Sequence, residues 1–191
     1  HYQLDMEKSK RKNELGVCFR SEAMRIYGVD LSGIPSIADG VIANILAEIG
    51  GKDQFLTSFT SARKFVSWLG KCPDNRITGG RVKSSKTRKV NNPLAVSLRM
   101  AAMTLWRSDN YLGEYCRKMK ARLGNAEGIT ATSHKLARII YAMISTGKPY
   151  DPEIGETASE KSLDRQLKAL EKKARRLGVT LDTSNLNATG A

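Results

Sequence analysis

The chain has 191 residues, with 32 Lys and Arg against 19 Asp and Glu and a formal net charge of +13. That length holds one large domain or two small ones with a real core. The charge calls for a polyanionic partner, most simply nucleic acid, with an anionic membrane surface as the competing reading. No apolar run is long enough to span a bilayer, and no signal peptide opens the chain.

The opening HYQLD before Met6 reads as an added leader or the cut edge of something longer. Cys18, Cys72 and Cys116 are too scattered for a disulfide framework or a zinc pair, and His1 and His134 cannot complete a metal site with them. Reduced, structural cysteines in a cytoplasmic protein are the expectation.

Residues 6–27 start charged and then mix in Val17, Phe19, Met24 and Ile26, which predicts one helix or two short ones between Gly16 and Gly28. The basic run Lys8 to Lys12 reads as a solvated face before it reads as an arm on a phosphate backbone. In GVDLSGIPSIADGVIANILAEIGG, Val41, Ile42, Ile45, Leu46 and Ile49 recur at helical spacing and Gly50-Gly51 stops the helix. A short apolar turn feeding a helix N-terminus resembles half of a helix–hairpin–helix, which offers backbone N–H groups to phosphates. The usual glycines are replaced here by Ser36 and Ala38, so a plain packing turn is an equal reading.

Thr60 or Ser61 can cap a helix that runs through Trp68 and closes at Gly70. Asn92-Pro93 sets a cap and then proline at the first helical position, and Leu94, Leu98, Ala101, Ala102 and Leu105 give that helix an apolar face. Ser108-Asp109-Asn110 breaks it. A basic helix follows from about Leu112 to Leu123, then a loop over Gly124–Gly128, then a largely buried helix from about Thr132 to Thr146. Residues 158–177 carry Leu163, Leu167, Leu170, Ala174 and Leu177, alternately four and three apart. This tail helix either packs on the body or pairs with a second copy. Trp68, Trp106, Tyr115 and Tyr141 are core by default. The architecture expected is mostly α, a helical bundle with a helix–hairpin–helix-like element, one long basic glycine-containing loop and a C-terminal amphipathic helix. Its segments are 1–27, 28–151 and 152–191.

The long loop, Lys71 to Pro93, carries the functional argument. Thr78 precedes Gly79 and Gly80, and Arg81, Lys83, Lys86, Arg88 and Lys89 follow with no acid between Ile77 and Pro93. A short strand pair near Ile77 and Val82 is expected inside it. Each cation set against a phosphate releases counterions, and nothing here specifies a base sequence. A Thr before two glycines is by default a turn residue. As a nucleophile it needs a base or a metal-bound phosphate, and Asp74 is the only acid close in sequence. No carboxylates are spaced for a two-metal site.

The segments SWLGKCPDNRITGGRVKSSKTRKVN, LRMAAMTLWRSDNYLGEYCRKMKARLG and ITATSHKLARIIYAMISTGKPYD, in that order, resemble the C-terminal transposase domain of the insertion-sequence 110/116/902 group, the bridge-RNA-guided DNA recombinases. The resemblance runs from about Gly28 to Asp151 and more loosely over the tail. It implies a serine nucleophile from a Ser-Gly-Gly or Ser-Ala-Gly turn that joins covalently to a DNA phosphate during strand exchange. It also implies an N-terminal RuvC-like domain whose Asp-Glu-Asp-Asp carboxylates bind Mg²⁺, with acidic and serine halves drawn from different protomers. Thr78 stands at the serine position, a departure whose extra methyl stiffens χ1 and crowds in-line attack.

Implied with it are DNA and a guide RNA as partners, a homo-oligomer, and a cytoplasmic, nucleoid-associated bacterial protein. No cofactor is expected in this chain itself, no membrane partner, and no activity from the chain in isolation. Arg81, Lys83, Lys86, Arg88, Lys89, Lys135 and Arg138 would then bind nucleic acid. Two rivals remain, a catalytically inactive nucleic-acid-binding or assembly module, and a basic adaptor working through the Leu163–Leu177 seam.

Overall fold

The computed structural model describes residues 18–152 apart from 75 and 85, together with 167, 168 and 170–178. The chain divides into two compact units, His1–Tyr150 and Asp151–Ala191. The basic run Lys8–Lys12 and Leu163 lie outside the described residues.

The first unit is a helical bundle, as its periodicity predicts. Helix α1 (Phe19–Tyr27) ends on Gly28 in the left-handed region, and Ala23 and Tyr27 turn into the core. The Tyr27 hydroxyl donates to the carbonyl of Gly50 at 2.8 Å, tying the end of α1 to the end of the next helix. Asp30 caps a single 3-10 turn, Leu31–Gly33, its carboxylate accepting from the Ser32 N–H at 2.8 Å. Helix α2 (Asp39–Ile49) buries Ile42, Ile45 and Ile49, the predicted face.

Gly50-Gly51 stops α2 but does not open a loop. Helix α3 (Lys52–Ser58) starts at once, a seven-residue element with one buried residue, Phe55, and so without a readable period. Helix α4 (Ala62–Trp68) is capped by Ser61, whose hydroxyl accepts from the Lys64 N–H. Phe55, Phe59 and Phe65 lie 5.1–5.4 Å apart, centroid to centroid, and Trp68 and Tyr141 extend the cluster. Tyr141 also donates its hydroxyl to the Phe59 carbonyl at 2.8 Å. Each such ring pair adds about 0.5–1.5 kcal/mol beyond the area it buries, which anchors two short helices that have little intrinsic stability.

Helix α5 (Pro93–Leu105) begins where Asn92-Pro93 predicts, with the Asn92 amide oxygen accepting from the Ala95 N–H at 2.9 Å. All five predicted face residues, Leu94, Leu98, Ala101, Ala102 and Leu105, are buried. Helix α6 (Tyr111–Leu123) is capped by Asn110.

Two expectations need correction here. Gly124–Gly128 is not a loop, because α7 runs from Asn125 to Thr146. Gly128 reads as a breaker in sequence, but it is a contact point. A Cβ there would lie 2.6 Å from the Lys120 backbone, so glycine is what lets α6 and α7 approach so closely. Trp106 is not core either: it is 46% exposed, with the Lys120 ammonium 4.4 Å over its ring.

Among the described residues of the second unit, 167, 168 and 170–176 are helical, with Leu170 and Leu177 exposed. No described helix is long and apolar enough to cross a membrane.

Gly128→Ala tests the close approach. Alanine raises helix propensity by up to about 1 kcal/mol, but overpacking against backbone costs roughly 1–3 kcal/mol, and no side chain can move aside to relieve it. The expected result is a melting temperature lowered by roughly 2–6 °C. An unchanged or raised value in a thermal melt contradicts this packing.

Candidate nucleic-acid interface

The segment between α4 and α5 has no apolar run, and physically it has nothing to bury. It folds instead as a two-stranded ribbon. Strand β1 (Arg76–Thr78) pairs antiparallel with β2 (Arg81–Ser84) in the register Thr78–Arg81, Ile77–Val82 and Arg76–Ser84. The strand pair expected near Ile77 and Val82 is therefore present, with those two residues as partners. Lys83 is the extra residue on β2, a bulge that bends and twists the ribbon. Gly79 and Gly80 make the two-residue turn with φ of 57° and 71°. Two successive positive values are the hairpin turn whose twist matches the strands, and glycine adopts them without strain. A Cβ at either position would meet nothing within 4 Å, so among the described residues the glycines serve the turn alone.

The ribbon continues into a clamped stem. Pro73 bridges to Thr87, and the Asp74 N–H donates to the Lys86 carbonyl at 3.0 Å. Arg88 donates to the Ser67 carbonyl at 3.1 Å, and the Lys71 N–H donates to the Val66 carbonyl at 3.1 Å. Val90 covers Gly70, where a Cβ would sit 1.9 Å from its Cγ2.

Thr78 is exposed at the end of β1, beside the turn and directly opposite Arg81. Arg81, Lys83, Lys86, Arg88 and Lys89 are all exposed, and Ile77 is 62% exposed. Asp and Glu are absent from 75 to 108, a span holding eight Lys and Arg. The structure thus collects five of the predicted cations and the hydroxyl on one projecting element, with Arg88 partly committed to holding the stem.

Lys135 and Arg138 stand elsewhere, on α7. Lys135 is half-buried, its ammonium 5.5 and 5.7 Å from the Tyr111 and Tyr115 ring centroids. Arg138 is exposed one turn further on. The helix–hairpin–helix-like turn before α2 works mainly in packing. Ser36 takes the left-handed conformation a glycine would otherwise fill, φ 71°, and its hydroxyl accepts from Thr104 of α5 at 3.0 Å. Asp39, in the first turn of α2, pairs with Arg20 at 3.0 Å, so a carboxylate already stands where a phosphate would approach.

Sequence reasoning missed two basic residues, Lys71 and Arg99. Lys71 is only 5% exposed and has no hydrogen bond or ion pair from its ammonium among the described residues. It borders a cavity of about 840 Å³ together with Lys86, Arg99, Tyr115 and His134. Burial, with the Arg99 charge adding to it, pushes the Lys71 ammonium down from 10.5 to about 8. Burial and Arg138 likewise hold the His134 imidazole below its ordinary range. A lysine just past Leu69-Gly70 gives no sequence signal that separates a buried cation from a solvated one. Among the described residues no three His, Cys, Asp or Glu side chains are grouped as metal ligands.

Residues 30–117 match the model of a family described as Transposase IS116/IS110/IS902 family. No curated protein matches the chain. The match runs from the 3-10 turn through the ribbon into α6, and so includes the exposed cations of the ribbon. The chain therefore contains a transposase domain. The match covers 88 of the chain's 191 residues, and it is the transposase domain of the IS116/IS110/IS902 family that this span is similar to.

Lys71 makes the stability of the fold depend on pH in a definite direction. The unfolded chain keeps its proton up to about pH 10.5, the folded one only to about 8. The folded state therefore binds fewer protons between those values, and stability rises with pH across that window. Lys71→Met is expected to be more stable than the parent at neutral pH, with the difference shrinking toward pH 10.5. Denaturant melts of both proteins at pH 7, 9 and 10.5 check this. A constant difference contradicts it.

Proposed function

We propose that the chain supplies the hydroxyl nucleophile and the nucleic-acid-binding surface of a DNA transposase that cuts and exchanges strands by transesterification. The observation that carries this is the ribbon: an exposed Thr78 beside a tight turn, paired with Arg81 and followed by cations with no acid among them. The Thr78 Oγ1 attacks a DNA phosphorus and displaces a deoxyribose oxygen. One P–O bond forms as another breaks, and the hydroxyl proton leaves to a base. A second DNA hydroxyl later reverses the step on a different strand end. Arg81 and Lys83 offset the charge that builds on the phosphoryl oxygens.

No described residue hydrogen-bonds the Thr78 hydroxyl, so its activation has to come from outside this ribbon. The RuvC-like acidic domain of the full protein, with its Mg²⁺, fits that need, in an oligomer that brings it to Thr78 of another copy. A guide RNA would occupy part of the basic surface and choose the target by base pairing, since the ribbon offers cations to phosphates and little with which to read bases. The missing base equally supports the second reading, a binding or assembly module that has lost its chemistry.

Two experiments decide. With full-length protein, Mg²⁺, the element's RNA and nicked labelled DNA, a denaturant-resistant protein–DNA adduct is expected. It should be absent in Thr78→Ala and form at least as fast in Thr78→Ser, because an error of about 1 Å in attack geometry costs on the order of 100-fold. An adduct that survives Thr78→Ala overturns the assignment of the nucleophile. No adduct from any form, with binding retained, favours the second reading.

Binding itself is expected to weaken linearly on a log–log plot against salt, with a slope near −0.9 for each phosphate engaged on duplex DNA. Arg81→Gln with Lys83→Gln should flatten that slope by about one to two. An unchanged slope removes the ribbon from the interface.

A further inference from the structure

The cavity beside the stem is built for a charged guest that the chain does not supply. Lys71 is more than nine-tenths buried, borders the cavity and has no partner among the described residues. Burial removes part of the hydration of that cation, and no described side chain replaces it. Lys86 from the ribbon stem and Arg99 from α5 border the same space, and Glu127 is the one carboxylate on its wall. The cavity lies at the N-terminal turns of α7, a 22-residue helix whose first turns line it from Asn125 onward. A helix N-terminus favours anions, and Lys71 is an independent pointer to the same charge.

Size and wall chemistry narrow the guest further. About 840 Å³ far exceeds a bare phosphate, and Met103, Tyr115 and Leu123 add apolar wall beside its cations. That mixed lining suits a group with a charged end and a flat apolar end. Pro73, Lys86 and Thr87 belong at once to the wall and to the stem of the Thr78 ribbon.

We infer that this cavity holds one unpaired nucleotide of a nucleic-acid strand, its phosphate on Lys71, Arg99 and Lys86 and its base against Tyr115 and Met103. A strand gripped there is anchored at the root of the element that carries Thr78. The inference rests on the reading of this chain as a nucleic-acid-binding transposase domain, and deepens it by naming a single-strand subsite.

The test uses the whole chain and a short labelled single-stranded oligonucleotide. Lys71→Met keeps the length and apolar stem of the side chain and removes its charge. Arg99→Gln is the second variant, on an exposed residue whose loss leaves the core intact. Each is expected to weaken single-strand binding roughly tenfold, the loss of one charged hydrogen-bonded contact. Each should also reduce the salt slope by about 0.7. Arg81→Gln should weaken binding without removing the dependence on Lys71.

A direct readout is acylation of the Lys71 amine near pH 8, mapped by mass spectrometry. The oligonucleotide should protect it at micromolar concentration. A nucleoside monophosphate should protect only at far higher concentration and inorganic phosphate least, which separates a strand from free phosphates as the source of the ligand. If the ribbon variant weakens binding while both cavity variants bind like the parent and Lys71 stays reactive, the cavity inference fails and the functional reading stands. If the parent chain binds neither single-stranded nor duplex DNA, both fail together. Protection by free phosphate equal to that by the strand overturns the single-strand subsite.

Discussion

Like charges on a two-stranded ribbon repel each other, and an isolated hairpin is marginal in water. Thr78, Arg81 and Lys83 sit on such a ribbon, so their placement depends on how its root is held. The root is fixed by backbone pairing at Pro73–Thr87 and Asp74–Lys86, by Arg88 on the Ser67 carbonyl, and by Val90 over Gly70. None of these contacts involves the exposed side chains of Thr78, Arg81 or Lys83. Among the described residues the tip is thus left unoccupied, while its position relative to α4 and α5 is set.

The helical body makes that anchorage possible. Helix α4 ends at the ribbon's first residues and α5 begins just after its last, so the two ends of the ribbon must be held together by the packing of those helices. The aromatic cluster of α3, α4 and Tyr141 fixes α4 on α7, and α5 packs on the same helix. Asn92 is the joint. It caps α5 and is itself buried, its amide donating to Glu48 of α2 at 3.4 Å. A chain with +13 net charge accepts internal repulsion, and keeping the cations of the ribbon exposed limits that cost.

What the sequence made legible follows the physics of each signal. Helices with a full apolar face and a start or stop signal, such as α5 after Asn92-Pro93 and α2 before Gly50-Gly51, can be read to within a residue or two. Helix α3 cannot, since one buried phenylalanine sets no period. The start of α7 is not legible, because a glycine in sequence looks the same whether it breaks a helix or admits a neighbour, and only the Lys120 backbone beside Gly128 distinguishes them. Residue type places Trp106 in the core, yet it lies on the surface under Lys120. The strand pair and its tight turn were visible in Thr78-Gly79-Gly80, while the Lys83 bulge and the clamp at the root depend on contacts distant in sequence. Lys71 and Arg99 were invisible as a pair, because burial of a lysine is decided by α5, α6 and α7 closing around it.

The central claim is that nucleic acid meets this chain on the ribbon. Backbone amide chemical shifts, followed residue by residue as duplex DNA is titrated into the protein at moderate salt, measure that most directly. The account predicts that the largest changes fall within residues 76–89 and at the Gly79-Gly80 turn, and that added salt reverses them. Changes confined to other surfaces, such as the exposed side of α5 at Val96 and Met100, with the ribbon amides unmoved, would contradict it.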